Sequence, residues 1–134
     1  MFTLKQIADA HDRVKSGADF PQYIQDIRLM GVTAFTTYVS DSHTKYDGER
    51  DYHLASEPQY APLTIATKGN AQALKQSLKI HQSGSTDYFT FCRQAAAAGV
   101  ENWRVDMATM TCTYHDAAGN VMVAEHIPQV AQQR

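Results

Sequence analysis

Residues 19–46 read DFPQYIQDIRLMGVTAFTTYVSDSHTKY, and residues 87–114 read DYFTFCRQAAAAGVENWRVDMATMTCTY. Both stretches begin with Asp and an aromatic residue, place Gly-Val after an apolar segment and end on Tyr, at a constant offset of 68 residues. The matched pairs are Asp19/Asp87, Phe20/Tyr88, Tyr23/Phe91, Gly31/Gly99, Val32/Val100, Phe35/Trp103 and Tyr46/Tyr114. The repetition predicts an internal duplication with pseudo-twofold symmetry.

The spacing of apolar residues changes at each Gly-Val. Before it, they recur as on one face of a helix, and after it they alternate as in a strand. Each half therefore predicts two helices followed by a meander of three strands. The expected N-terminal helix caps are Thr3, Asp19, Asn70 and Asp87, and the first helix is expected to end at Ser16-Gly17. The predicted fold class is α+β, with four helices packed on antiparallel sheet.

The length of the chain bounds its domain organisation. The sequence has 134 residues, and a half of about 65 residues buries too little apolar surface to be more than marginally stable alone. We therefore expect a single domain over residues 1–128, made of repeats 3–55 and 70–127 joined by a linker 56–69. Residues 129–134 are expected to form a polar tail.

Charge and composition argue against several classes of partner. The formal net charge is −2, which provides no basic field for nucleic acid or for an anionic membrane. We find no signal peptide and no apolar run long enough to span a bilayer, which predicts a cytoplasmic protein. The histidines lack metal-site spacing, so neither a metal nor a cofactor is expected. A homodimer is left open.

The repeat landmarks, together with Lys15-Ser16-Gly17-Ala18-Asp19-Phe20-Pro21 and the stretch from Val105 to Tyr114, resemble a bacterial family of small uncharacterised proteins. The resemblance covers about residues 3–128. Some members of that family are encoded in prophages and are labelled phage-envelope-like. The resemblance implies a small bacterial protein of one domain, and it carries over no catalytic residues.

Most of the repeated polar residues have structural explanations as helix caps and turns, so the positions where the two halves differ are the better places for function. The connection Ser40-Asp41-Ser42-His43-Thr44 stands where the second half has residues 108–112. Asp41 and His43 could form an acid–base pair or half a metal site. Ser40, Ser42 and Thr44 are candidate ligand-binding residues. A solvated turn uses the same residue types and explains them equally.

The second candidate site is the polar face of the sheet. If Trp103 points inward, alternation places these polar side chains on the opposite face: Arg104, Asp106, Thr111, Thr113 and His115, with Thr36, Tyr38, Lys45 and His53 from the first half. Asp106 and His115 are catalytic candidates there, and Tyr38 and Arg104 are ligand-binding candidates. A solvated sheet face is the alternative, since antiparallel sheets commonly expose one polar face.

Three functions follow as hypotheses. The first, which the sequence favours, is a non-catalytic module that binds a small molecule or a protein at the junction of the repeats. The second is a small enzyme that uses Asp41/His43 or Asp106/His115 as its acid–base pair. The third is a phage-associated structural or assembly protein.

Overall fold

The chain folds into one open antiparallel sheet with four α-helices packed against one of its faces, in a computed structural model that describes residues 2–15 and 17–128. The helices are α1 (Leu4–His11), α2 (Phe20–Leu29), α3 (Ala71–Gln82) and α4 (Tyr88–Ala97), with a short 3₁₀ helix at Gly17–Asp19. The strands are β1 (Val32–Tyr38), β2 (Thr44–Gly48), β3 (His53–Ala55), β4 (Val100–Asp106), β5 (Thr111–Asp116) and β6 (Val121–His126). The predicted α+β class is confirmed.

The sheet is assembled outward from a central pair of strands. Its order is β3-β2-β1-β4-β5-β6, so β1 and β4 lie side by side although two helices and two strands separate them in sequence. They pair antiparallel, with Phe35 opposite Val105, Thr36 opposite Arg104 and Thr37 opposite Trp103. The other strands extend the sheet on each side as consecutive hairpins.

Three of the four predicted helix caps are confirmed. Thr3 forms a capping box with Gln6, Asn70 accepts from the Ala73 N–H, and Asp87 accepts from the Thr90 N–H. The prediction for Asp19 is wrong, because its side chain makes no cap hydrogen bond. Its carboxylate instead accepts from the Lys15 N–H at 2.9 Å, which holds the connection between α1 and α2.

The first helix is also shorter than predicted. It ends at His11, and the next two turns tighten, with Arg13 N–H donating to Ala10 and Val14 N–H to His11. Because the Lys15 N–H is then taken by Asp19, the backbone is drawn into a connection rather than a further helical turn. Ser16 and the predicted tail 129–134 lie outside the described residues.

The core lies between the helices and the inner face of the sheet. Phe35, Trp103 and Val105 of the central strands are buried there with Ile24 and Leu74 of the helices. Burying these apolar side chains supplies the main driving force for the fold. Within the described part of the chain, no helix is long and apolar enough to cross a membrane.

Residues 56–69 form no helix or strand, yet backbone hydrogen bonds hold them against both halves of the chain: Gln59 N–H donates to Asp41 and Leu63 N–H donates to Ser40 in the first half. The Ala66 N–H donates to Ala96 at 2.9 Å, and the Asn70 N–H donates to Ala98 at 2.7 Å. Leu63 is half-buried against the core. The last residues of this segment therefore pack along the C-terminal end of α4.

Candidate functional site

A cleft of about 1030 Å³ lies between the helices and the inner face of the sheet. All four helices and five of the six strands contribute side chains to it. Its aromatic lining consists of Phe20, Tyr23, Phe35, Tyr46, Tyr88, Phe91, Trp103 and Tyr114. Both halves of the chain therefore contribute to one shared cavity, and both supply aromatic side chains to it.

The register of the paired strands shows which side chains form the floor of the cleft. Along one row, Thr44, Thr37, Trp103 and Tyr114 lie opposite one another on β2, β1, β4 and β5. The neighbouring row runs through Tyr46, Phe35, Val105 and Cys112. Paired residues share a face of the sheet, and every member of the two rows except the fully buried Val105 lines the cleft.

Four hydroxyl groups in the cleft are paired with one another. The Thr37 and Thr44 Oγ1 atoms are 2.9 Å apart, and both side chains are buried. Ser42 Oγ lies 2.5 Å from Tyr88 Oη, a contact that joins the β1–β2 connection to the first turn of α4. Because buried hydroxyls are costly when unpaired, these two hydrogen bonds stabilise a polar region in an otherwise apolar cavity.

The hydroxyl groups on the strands and their connection come from the first half of the chain. At the offset of 68 residues, the positions of Thr37, Ser42 and Thr44 are taken by Val105, Met110 and Cys112. Ser42 and Met110 share a left-handed backbone, with φ of 61° and 52°. The two turns therefore have similar local geometry and differ in side-chain chemistry.

Burial keeps three tyrosines and a cysteine of the cleft uncharged. It raises the pKa of Tyr23, Tyr88 and Tyr114 above the ordinary value for a tyrosine, and it raises the pKa of Cys112 to about 12. A thiol with that pKa is almost fully protonated at neutral pH. The Cys112 sulfur is therefore poorly suited to act as a nucleophile.

Two histidines on the wall of the cleft are also held neutral. The His11 ring meets Tyr23 and Tyr88 edge-on, with centroids 5.3 and 5.9 Å apart, and His81 stacks on Phe91 at 4.6 Å. Removal from water lowers the pKa of both imidazoles, because burial disfavours the charged form.

Asp41 and His43 meet, but outside the cleft. His43 Nδ1 lies 2.6 Å from Asp41 Oδ1, and the His43 N–H donates to the same oxygen at 2.9 Å. That backbone hydrogen bond, with the side-chain one, lowers the pKa of Asp41. The His43 ring stacks on Tyr38 at 4.6 Å. Neither Asp41 nor His43 lines the cleft, whereas Ser42 between them does.

The structure does not bring Asp106 and His115 together. Asp106 lies opposite Thr111 and accepts from the Ala108 N–H at 2.8 Å. His115 lies opposite Asn102, with its Nδ1 atom 3.1 Å from Asn102 Oδ1. Asp106 and Asn102 are four residues apart on β4, which corresponds to about 13 Å along a strand.

The remaining candidates do not share one site. Arg104 is on the open face, where its Nη1 donates to Thr36 Oγ1 at 3.1 Å and lies 3.6 Å from Asp47. Ser40 contributes its carbonyl, which accepts from the Leu63 N–H at 2.6 Å. Of the nine residues proposed from sequence as site candidates, Ser42 and Thr44 line the cleft.

Thr37 is the third buried polar residue of this region and is not among the residues predicted from sequence. Its position in β1 alternates in phase with Phe35, so the pattern marks it only as an inward residue. A comparison of the inward positions of the two stretches could have identified it, because Thr37 is polar whereas Val105, the residue 68 positions later, is apolar.

Metal ligation has no support in the described ranges 2–15 and 17–128, where no group of three or more His, Cys, Asp or Glu side chains is arranged to hold an ion.

No curated protein matches the sequence significantly. The family model described as "Protein of unknown function (DUF1398)" matches residues 8–126, which include nearly all of the cleft lining. The chain therefore belongs to this family of proteins of unknown function.

Proposed function

We propose that this protein is a non-catalytic module that binds a small molecule in the aromatic cleft. The cleft itself carries the proposal. Its volume of about 1030 Å³ is close to the upper end of the roughly 300–1,000 Å³ that is usual for small-molecule sites. Such sites are mostly apolar and contain a few polar groups that fix the ligand, which is how Thr37, Thr44, Ser42 and Tyr88 are disposed here.

We also propose that the chain arose by internal duplication. Residues 3–55 and 70–127 are two copies of one unit within a single domain 1–128, linked by residues 56–69. The element order supports this, because two helices and three strands occur twice in succession. The register supports it as well, because Thr36 and Arg104, which are 68 residues apart, lie opposite each other in the central strand pair. The cleft then lies at the junction of the copies.

The chemistry of the lining favours binding over catalysis. His81 Nδ1 is within 3.1 Å of the Thr86 carbonyl and hydroxyl oxygens, while the Asp87 carboxylate caps α4 through Thr90. The two groups are thus engaged with other partners rather than with each other. A general base must reach its proton donor at hydrogen-bond distance, and the hydroxyls nearest the floor are paired among themselves.

The test uses the one tryptophan of the chain as a reporter. Because Trp103 lines the cleft, its indole N–H gives a single NMR cross-peak that a ligand in the cleft must shift. A library of metabolites is screened by thermal shift, and each hit is checked on this cross-peak. We expect hits to raise the unfolding midpoint and to move the Trp103 signal, since a ligand that binds only the folded state stabilises it.

A blocking variant shows where the hits bind. Ala8 lines the cleft on α1, so Ala8→Phe adds a ring there and is expected to weaken every hit. Ala97→Phe is the matched control, because Ala97 is an exposed alanine at the end of α4 that does not line the cleft. Hits that leave the Trp103 signal unmoved, or that bind Ala8→Phe as well as the control, would exclude the cleft as the binding site.

A small enzyme is the second candidate, because Asp41 and His43 form a hydrogen bond of 2.6 Å at the surface. The carboxylate orients the ring, as in catalytic pairs where a carboxylate holds an imidazole in one tautomer. If a hydrolytic or proton-transfer activity is found, Asp41→Asn and His43→Gln must each reduce it at least about a hundredfold. An activity that survives both changes removes this candidate.

Four further properties stay predictions from the sequence: a homodimer, a cytoplasmic location, bacterial origin and a phage-associated role.

A further inference from the structure

The charged residues around the cleft are mostly acidic. The carboxylates among its lining residues are Asp12, Glu57, Asp87 and Glu125, and the lining contains one lysine, Lys15. Three histidines also line the cleft: burial lowers the pKa of His11 and His81, which disfavours their charged form, and His126 is exposed at its edge. The lining is therefore net negative.

The field of these carboxylates reaches the buried groups. The charge of Glu125 contributes to the raised pKa of Cys112 and Tyr114 on the floor. The charge of Asp87 contributes in the same direction at Cys92 and opposes deprotonation of His81. A negative potential inside a cleft with apolar walls attracts cations and repels anions.

The aromatic lining acts in the same direction. Ring faces carry the negative part of the quadrupole, so they attract a cation that lies over them. Trp103 and Tyr114 lie side by side on the floor with centroids 6.0 Å apart, and Tyr88 meets Trp103 edge-on at 6.3 Å. An anionic ligand would meet four carboxylates and a single lysine in this lining, and burying a poorly paired anion is costly in an apolar environment.

On the basis of the proposed function, we infer that the ligand of the cleft is a compound with a flat aromatic body and a protonated amine. The ring system packs among the aromatic side chains, where burial of its apolar surface provides affinity. The ammonium group stays near the carboxylates of Asp12, Glu57, Asp87 and Glu125, where it keeps part of its hydration. The positive charge of the ammonium group determines the selectivity, so that the cleft binds cationic ligands more tightly than anionic ones.

Three matched probes test the sign of charge. Tryptamine, tryptophol and indolepropionate share the indole ring and carry an ammonium, a hydroxyl and a carboxylate, respectively. Each is titrated into the isotope-labelled full-length protein, with the Trp103 indole cross-peak as the readout. We expect tryptamine to bind about tenfold more tightly than indolepropionate, with tryptophol between them, and the difference to shrink as salt is added.

Charge-neutral variants test which residues are responsible. Asp12→Asn, Glu57→Gln and Glu125→Gln are combined in one protein, leaving Asp87 to cap α4. The matched control combines Asp9→Asn, Glu49→Gln and Glu101→Gln, which changes the net charge equally at positions that do not line the cleft. The first protein is expected to lose most of the preference for tryptamine, and the control is expected to keep it.

The outcomes separate this inference from the proposed function. Equal binding of the three probes, or tightest binding of indolepropionate, would overturn the inference and leave a small-molecule cleft in place. The same holds if none of the probes binds while the metabolite screen yields a ligand that shifts Trp103. If neither the probes nor the screen move the Trp103 signal, both proposals fail.

Discussion

Arg104 Nη1 donates a hydrogen bond of 3.1 Å to Thr36 Oγ1 across the central pair of strands, and the two residues are 68 positions apart in sequence. They lie on the open face of the sheet, while Phe35 and Trp103 on the opposite face line the cleft. The contact is solvated, so Arg104→Ala is expected to lower the free energy of unfolding by less than about 1 kcal/mol. Affinity for tryptamine should stay unchanged. A large loss of affinity would instead place the ligand on the open face.

The buried hydroxyl pair Thr37–Thr44 is expected to show strong coupling. Thr37→Val or Thr44→Val alone leaves one buried hydroxyl without this partner and should cost about 1–2 kcal/mol. Replacing both with Val should cost less than the two single changes together, as Val105 and Cys112 occupy the corresponding positions of the other half. Urea unfolding of the four proteins measures the coupling energy. Thr36→Val, on the open face, serves as the control, and simple additivity would contradict the pairing.

Two glycines with nearly the same φ angle allow the effect of packing to be separated from the effect of a positive φ. Gly99 has φ +88°, and a Cβ there would lie 2.8 Å from the Lys68 carbonyl oxygen and the Gly69 Cα atom. Gly119 has φ +87° with no atom within 4 Å of such a Cβ. Gly119→Ala should therefore cost only about 1 kcal/mol for the backbone. Gly99→Ala should cost at least about 2 kcal/mol, since the linker must move. Similar losses in thermal unfolding would show that the linker does not pack tightly here.

The turn after β2 contains a non-glycine residue that glycine could replace. Arg50 is exposed and has φ 56°, a left-handed conformation that costs an L-residue about 1 kcal/mol. Arg50→Gly removes this cost but adds backbone entropy to the unfolded chain, so we expect a net gain of about 0.5 kcal/mol. The neighbouring Glu49 does not have a positive φ. Glu49→Gly therefore relieves no strain and should lower the melting temperature. Destabilisation by both changes would argue against strain at Arg50.

Stability should fall on mild acidification because of His11 and His81. Burial lowers the pKa of both side chains from an ordinary 6.5. The unfolded chain then binds protons that the folded chain does not. Their contribution is therefore fully present above about pH 6.5 and is lost as pH falls through the folded-state values. The nearby carboxylates of Asp12 and Asp87 moderate the effect but do not reverse it.

The measurement is denaturant unfolding at a series of pH values between about 7.5 and 5. Combined His11→Gln and His81→Gln changes should flatten the slope of stability against pH over this range. His53→Gln, which alters an exposed residue near the sheet edge, should leave the slope as it is. A double variant with the same slope as the natural chain would assign the pH dependence to other groups.

Local signals in the sequence were sufficient for the elements of the fold. Gly31 and Gly99 both adopt the positive φ that ends a helix, at 109° and 88°, and the strand after each alternates as predicted from Phe35 and from Trp103 onward, although Ala34 is also buried. The order of the strands could not be read in this way. The alternation of β1 is the same whichever strand lies beside it, so the pairing with β4 depends on how the whole sheet packs.

The candidate site was predicted only in part, for a similar reason. Ser42 and Thr44 were identified because they interrupt the resemblance between the halves within a polar connection. Their roles depend on Tyr88 and Thr37, which approach from α4 and from the neighbouring strand. The prediction that Asp19 caps α2 failed because Lys15 competes for its carboxylate. The contact between Ser42 and Tyr88 joins residues 46 positions apart, and spacing along the chain does not encode such tertiary contacts.

The pairing of β1 with β4 also constrains how the protein folds. Each meander can form early from hairpins between neighbouring strands, because closing short loops costs little chain entropy. Joining the two meanders brings together residues 68 positions apart, and contacts of such long sequence separation slow folding. The Thr37–Trp103 and Phe35–Val105 rows of the cleft floor exist only after this step. A ligand of the cleft can therefore recognise the completed chain but neither half folding on its own.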